Sequence, residues 1–291
     1  MKRITNILAW VFIAIGLFLS IIVLVAIGHE GKISIGTLDW SYAKKVNDIT
    51  GVLAFLFTGA GTFAIFLTLS KQQEQFEVAQ KQIETQQFET TFFNMLVQLF
   101  SIKNTASIEI DSKVFSGQEF FKHVLLSLKE KYDNNLNSIE DIKRTLESIK
   151  KSEKISHSKV NMLRDNLSDI YVDAYNQFYS YLGHYFRFFY TMLGFVIDNR
   201  ANEKFRDAEK YIQLLKAQLS NDEMGLIFCN TISDKVLDSD IDVYSIIERY
   251  AILENIDVNS LLNRSLHVIY PNTVFKFLNN TEKEQKTSFI R

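Results

Sequence analysis

Two long apolar runs near the amino end constrain this chain more than any other feature. Residues 4–27, "ITNILAWVFIAIGLFLSIIVLVAI", and residues 49–69, "ITGVLAFLFTGAGTFAIFLTL", carry no charged side chain. A helix of about 20 apolar residues crosses a bilayer, so both runs read as transmembrane spans. A cleaved signal peptide has an apolar region of only about 7–15 residues, so the first run reads as a retained anchor. The polar stretch between them, Gly28–Asp48, reads as a loop, with Trp40 and Tyr42 as interfacial anchors. Lys2, Arg3, Lys71 and Lys81 flank the outer ends of the pair against Lys32, Lys44 and Lys45 in the loop. By the positive-inside rule both termini are expected in the cytoplasm. Gly51, Gly59, Ala60 and Gly61 lie in the second run; they either let helices approach closely or reflect the frequency of glycine in membrane helices.

Past Leu69 the chain turns polar, "SKQQEQFEVAQKQIETQQFETTFFNMLVQLF". Phe76, Ala79 and Ile83, then Phe88, Phe92, Met95 and Leu99, form two coiled-coil-like stripes separated by a step that breaks their register. The spacing predicts a stalk helix that enters a globular body near Phe88. A single proline and only 11 glycines favour long uninterrupted helices, and 24 phenylalanines with 12 tyrosines predict an aromatic core. Helical patterns are expected over 117–132, 138–151, 165–198, 201–219, 222–231 and 242–254, with "NTVFKFL" after Pro271 as a final short helix. Ser138 reads as a helix start before its acidic turn. The lysine-rich stretch from Ile142 reads as a solvated face or connection, and no strand pattern persists. The expected fold is therefore all-α. Two N-terminal transmembrane helices make a membrane anchor over 1–70, a polar helical stalk covers 71–100, and a helical cytoplasmic domain covers 101–291.

The densest aromatic stretch, "LGHYFRFFYTMLGFVID" (Leu182–Asp198), decides between membrane and body. Tyr171, Tyr175, Phe178, Leu182, Tyr185, Phe189, Leu193 and Val196 recur at steps of mostly 4 and 3 on one helical face. Asp173, Gln177, Ser180, His184 and Arg187 form a polar stripe beside them. Such a stripe, with only about ten uncharged residues after Arg187, fits an amphipathic core helix better than a third span. His184 and Arg187 could jointly hold a phosphate, because arginine binds bidentately and histidine donates or titrates. Alternatively they bond neighbouring helices or face water.

Four segments in order, "FETTFFNML" (Phe88–Leu96), "SGQEFF" (Ser116–Phe121), "GHYFRFFYTMLGFV" (Gly183–Val196) and "YIQLLKAQLSNDEMGLIFCN" (Tyr211–Asn230), resemble the phage abortive infection proteins of bacteria, the AbiC-like family. The resemblance covers roughly 70–230 together with the membrane layout. It singles out Phe88, Glu89, Phe92, Phe93 and Asn94 in the first segment and His184, Tyr185, Arg187 and Tyr190 in the third. In the fourth it singles out Tyr211, Gln218, Leu219, Ser220, Glu223 and Asn230. Lys216 stands where the family pattern has arginine, and lysine cannot supply arginine's fork. Cys229 stands where the pattern has an aromatic residue. The candidate functional polar residues are accordingly His184, Arg187, Tyr190, Glu89, Asn94, Gln218, Glu223 and Asn230. Ser220 and Glu223 also have the spacing of a capping box, which leaves a structural role open beside a functional one.

The resemblance implies phage defence by abortive infection and supplies no reaction. Walker and dinucleotide glycine loops, HExxH and GxSxG are all missing from the sequence. His184 with Arg187, and Arg264 with His267, lack the Arg–His order or spacing of helical antiviral ribonucleases. No cofactor or metal is expected. The formal charge of −2 excludes bulk nucleic-acid binding as an electrostatic function, and the lone Cys229 excludes an intrachain disulfide. The implied protein is a membrane-anchored effector of the bacterial inner membrane. Its partners would be the lipid bilayer, further copies of itself, and a phage-derived or host trigger sensed by the helical body. The alternatives are a membrane-tethered enzyme, such as a nuclease using His184 and Arg187 with Glu89 or Glu223, and a non-defence helical scaffold assembled through the stalk.

Overall fold

One helix, α1, runs without interruption from Trp40 to Thr105, 66 residues in all. The computed structural model describes residues 14, 16–18, 21, 40–136, 138–151, 153, 155–201, 208–233, 242–280 and 282–283. The first apolar run, 4–27, lies outside the described residues except at 14, 16–18 and 21, which are helical. Helix α1 begins inside the stretch read as a loop, so Trp40 and Tyr42 belong to the helix rather than to a connection. Nothing in that sequence breaks a helix, since the chain's one proline is Pro271. The second apolar run is the early part of α1. From Thr50 onward this helix holds an apolar 18-residue window long enough to cross a membrane, and none of that window is buried. Its threonines satisfy themselves within the helix: Thr58, Thr62 and Thr68 donate to the carbonyls of Ala54, Thr58 and Ala64 at 2.7, 2.9 and 2.8 Å. That pairing is what an apolar surrounding demands of a hydroxyl. Side chains added at Gly51, Gly59 or Gly61 would meet nothing within 4 Å among the described residues, whereas Gly16 is buried and lies against the Phe57 ring.

The chain divides into two units, Met1–Glu84 and Thr85–Arg291. In the second unit, α1 presents Phe88, Phe92, Leu99 and Ile102 as a buried face. A tight antiparallel hairpin follows, β1 (Ser107–Ile110) and β2 (Lys113–Ser116), paired in the register Ser107↔Ser116 to Ile110↔Lys113. This corrects the expectation of no strands. Asp111 and Ser112 both take positive φ, 49° and 64°, the geometry of a two-residue hairpin turn that matches strand twist. The strands are too short to leave a periodic signal. Gly117, at φ 59°, then turns the chain into α2 (Gln118–Leu136), whose Phe120, Phe121, Val124, Leu125, Leu128 and Tyr132 are buried.

Helix α3 (Glu140–Lys150) buries Ile142, Leu146 and Ile149, while its lysines make the solvated face expected. Ser138 does not cap it; the N-cap is Ile139, and the Ser138 hydroxyl donates instead to the Asn135 carbonyl at 2.6 Å. The helix expected over 165–198 is two: α4 (His157–Gln177), capped by Ser156, and α5 (Tyr179–Ala201). The break is at Phe178 (φ −116°, ψ 17°), where the side chain stays on the buried aromatic stripe. All eight stripe residues from Tyr171 to Val196 are buried, so the periodicity identified the core face and missed only the break. Shorter helices α6 (Ala208–Lys216), α7 (Asn221–Asn230) and α8 (Val243–Arg249) follow, with 3-10 turns at Val258–Ser260 and Arg264–Ile269. The stretch after Pro271 is irregular rather than helical; Phe275 and Leu278 are nonetheless buried, and the Lys276 N–H donates to the Glu254 carbonyl at 2.8 Å. Helix α2 packs on α4 and α7, and α5 on α6, which encloses α7 within the core.

Candidate functional site

Helix α7 is the centre of the polar interior. Ser220 caps it, and the reciprocal capping box is complete: the Glu223 N–H donates to Ser220 Oγ at 3.3 Å, while Ser220 N–H donates to Glu223 Oε2 at 2.9 Å. The structural role expected of Ser220 and Glu223 is therefore present, but Glu223 does more than cap. It is 2 % exposed. Tyr185 of α5 donates its hydroxyl to Oε1 at 2.6 Å, Ser220 Oγ donates to Oε2 at 2.6 Å, and Lys103 of α1 forms a salt bridge to Oε2. A buried carboxylate is tolerable only when its oxygens are paired in this way. Glu223 thus joins three helices through one side chain.

Two further polar ties lie nearby in the same unit. Tyr190 of α5 donates to Asn230 Oδ1, and Asn230 Nδ2 donates to the Tyr171 hydroxyl of α4 at 3.0 Å, all three side chains being buried. Tyr211 of α6 donates to Glu89 Oε1 of α1 at 2.7 Å, with its ring edge-on to Phe88 and Phe92 at centroid distances of 4.9 and 5.1 Å. Burial pushes the phenols of Tyr171, Tyr185 and Tyr190 well above their ordinary range, and the neighbouring Glu223 carboxylate adds to the effect at Tyr185. Each phenol therefore remains a protonated donor at neutral pH. Lys216, which stands where the family pattern has arginine, is buried and pairs with Glu254 Oε1 at 2.7 Å. That contact holds the Glu254 carboxyl below its usual value, chiefly through the hydrogen bond from Lys216.

The structure thus sorts the eight candidates into two groups. Tyr190, Glu223 and Asn230 are buried members of these ties, and half-buried Glu89 is the acceptor for Tyr211. His184, Arg187 and Asn94 are exposed, and Gln218 is half-buried. His184 and Arg187 lie on the face of α5 opposite its aromatic stripe, so the polar stripe is that helix's solvent side. Sequence reasoning missed Lys103 and Tyr171 as polar partners. Lys103 follows Leu99 by four on the buried face of α1, and Tyr171 was placed only as an apolar stripe residue. A basic residue four past a core position is a signal of a buried pair that only the partner's location makes readable.

An open groove of about 750 Å³ lies between the start of α2, the start of α7 and the turn at 257–260. Glu119, Lys122, Ser220, Asn221, Asp222 and Asn259 are among its lining residues, and none of the eight candidates lines it. Burial raises the Asp222 carboxyl, with Lys122 opposing that shift and Glu223 adding to it. Among the described residues, no group of three histidine, cysteine, aspartate or glutamate side chains is arranged to hold a metal ion. Both Glu223 oxygens are engaged by donors and closed to solvent, so this carboxylate ties the surrounding helices together.

Residues 177–261 match the profile of the family described as "Putative phage abortive infection protein". The match supports the AbiC-like resemblance and contains its third and fourth motifs. It extends beyond Asn230, where the motif resemblance fades, to Leu261, and it leaves the first two motifs outside. Tyr185, Tyr190, Tyr211, Glu223 and Asn230 fall within the matched segment; Glu89, Lys103 and Tyr171 do not. No curated protein and no solved structure matches the chain.

Proposed function

With the abortive infection match over residues 177–261 as premise, we propose that this chain is a bacterial phage-defence protein acting by abortive infection from the inner membrane. The match carries the reading. The two-span anchor rests on the apolar character of 4–27 and on the unburied apolar window of α1, and Gly16 lying against Phe57 fits a helix pair. The helical body lies on the cytoplasmic side, where it senses a phage-derived or host product, and the membrane region carries out the response. Continuity of α1 from the apolar window through Phe88 into the core supplies a covalent and helical connection between sensing and response. The catalytic alternative gains no support from the polar stripe, because His184 and Arg187 are exposed and Glu223 is fully engaged elsewhere.

The test is phage plating on bacteria expressing the full chain or the chain lacking Met1–Leu69, with protein abundance followed by immunoblot. Protection by the full chain alone, with death of infected cells at high phage dose, is the expected result. Equal protection by an abundant truncated chain would move the activity into the body and refute the membrane step. No protection from either form against a broad phage panel would refute the defence reading.

A further inference from the structure

From Leu69, the last residue of the apolar run, helix α1 carries an apolar stripe that no described residue covers. Leu69, Phe76 and Ile83 are 57 %, 70 % and 54 % exposed. They recur every seven residues. With Phe76 placed at heptad position a, Ala79 falls at d, and the flanking e and g positions are Gln73, Gln75, Gln80 and Gln82. The remaining d positions, 72 and 86, are also glutamine. Every charge between Leu69 and Gln87, namely Lys71, Glu74, Glu77, Lys81 and Glu84, falls at b, c or f on the outer side. The one apolar residue away from the seam is Val78, at c. Counting on in sevens, Phe93 and Val97 take d and a and are also exposed, whereas the core residues Phe88 and Phe92 take f and c. The structure therefore separates the two stripes of the stalk: one is used by the body and the other is left over.

We propose that this leftover face of α1, centred on Phe76, Ala79 and Ile83, is the docking surface for the same face of a second copy, parallel and in register. A charge-free seam flanked by glutamines is self-complementary, because two identical copies meet with no like charges opposed. A solvated monomeric helix has no reason to sort its charges this way. The seam is short, and two glutamines at d weaken it. Two free chains would gain little from it, but anchoring in one bilayer raises the effective concentration and aligns the stalks side by side. The parallel register rests on the membrane anchoring proposed above, since both stalks then start at the same height.

Site-directed disulfide formation tests this in membranes holding the full chain. The only native cysteine, Cys229, is buried and its thiol is pushed far above the usual range, so it stays unreactive. Phe76→Cys and Ile83→Cys are compared with Glu77→Cys and Lys81→Cys on the outer side; all four positions are exposed, and circular dichroism of each variant checks that the fold is kept. Mild oxidation is expected to give several-fold more linked dimer at 76 and 83 than at 77 and 81, because bridging needs Cα atoms within about 7 Å. Equal linking at all four positions, or none at 76 and 83, overturns the proposal. Linking only in mixtures of Phe76→Cys and Ile83→Cys chains would mean antiparallel pairing and overturn the parallel arrangement. Carbonate extraction of the same samples separates the premises. A chain that washes off yet links at 76 and 83 loses its membrane anchor and keeps the docking face, while a retained chain without preferential linking does the reverse.

Discussion

Replacing Glu223 with alanine takes the acceptor from four donors at once, the Ser220 hydroxyl among them. Lys103 Nζ loses its carboxylate at a position only 13 % exposed, the Tyr185 hydroxyl loses its acceptor in the core, and the Ser220 N–H loses its half of the capping box. Removing one partner of a buried pair costs about 3–5 kcal/mol, because the charge left behind is desolvated and unpaired. An unmet buried hydroxyl adds about 1–3 kcal/mol in isolation, but these terms overlap within a single network, so about 4 kcal/mol is the expected total. In a unit of this size each kcal/mol lowers the melting midpoint by about 2–4 °C, giving a fall of about 8–16 °C. The assay is circular dichroism at the helical band on the detergent-solubilised full chain. Tryptophan emission would miss the transition, because Trp10 and Trp40 both lie in the first unit. Glu223→Gln keeps an acceptor for Tyr185 while removing the charge, so it should cost less than alanine. Lys103→Met should then relieve much of the remaining cost in the double variant. A midpoint change under about 3 °C for Glu223→Ala, or costs at 103 and 223 that simply add, would refute the argument that this ion pair ties α1 to α7.

Gly225→Ala places a Cβ 2.5 Å from the Ser260 carbonyl oxygen and 3.0 Å from Leu125 Cδ2. Alanine's helical advantage of about 1 kcal/mol is outweighed by the backbone shift this forces, and urea denaturation should show a net loss of about 1–2 kcal/mol. The buried phenols of Tyr171, Tyr185, Tyr190 and Tyr270 are raised above the ordinary value of 10.0, so their protonated forms contribute stability that is complete below pH 10. That contribution is lost as the pH rises further, and tyrosinate absorbance should show a class that ionises only with unfolding. His184→Ala with Arg187→Ala changes two exposed side chains. The double variant should keep its stability within about 0.5 kcal/mol and its protection against phage unchanged; lost protection at normal abundance would make the polar stripe functional after all.

Helical class and the core face of α4 and α5 were legible because the aromatic stripe repeats over many turns, and periodicity integrates that signal. The point of entry at Phe88 was legible for the same reason. The break at Phe178 was not, since no glycine or proline marks it and the buried ring keeps the stripe in phase across it. The hairpin at 107–116 was hidden by the shortness of its strands. Of the polar interior, the capping box could be read from Ser220 and Glu223 alone, because a cap is local. Lys103 and Tyr185 reach Glu223 from sequence separations of 120 and 38, and no local pattern encodes such a meeting. His184 and Arg187 show the opposite case: their polar stripe could be read from local spacing alone, and it lies on the exposed side of α5.

The ties on α7 bear on how the recognisable segment can be inherited. A fragment cut at 177 and 261 would carry Glu223, Asn230 and Tyr211 away from Lys103, Tyr171 and Glu89, leaving polar groups without their partners on both sides of the cut at 177. The profile boundaries therefore mark a signature rather than a transplantable module. Grafting this segment into another chain should therefore succeed only where the recipient supplies matching donors and acceptors in place of Glu89, Lys103 and Tyr171.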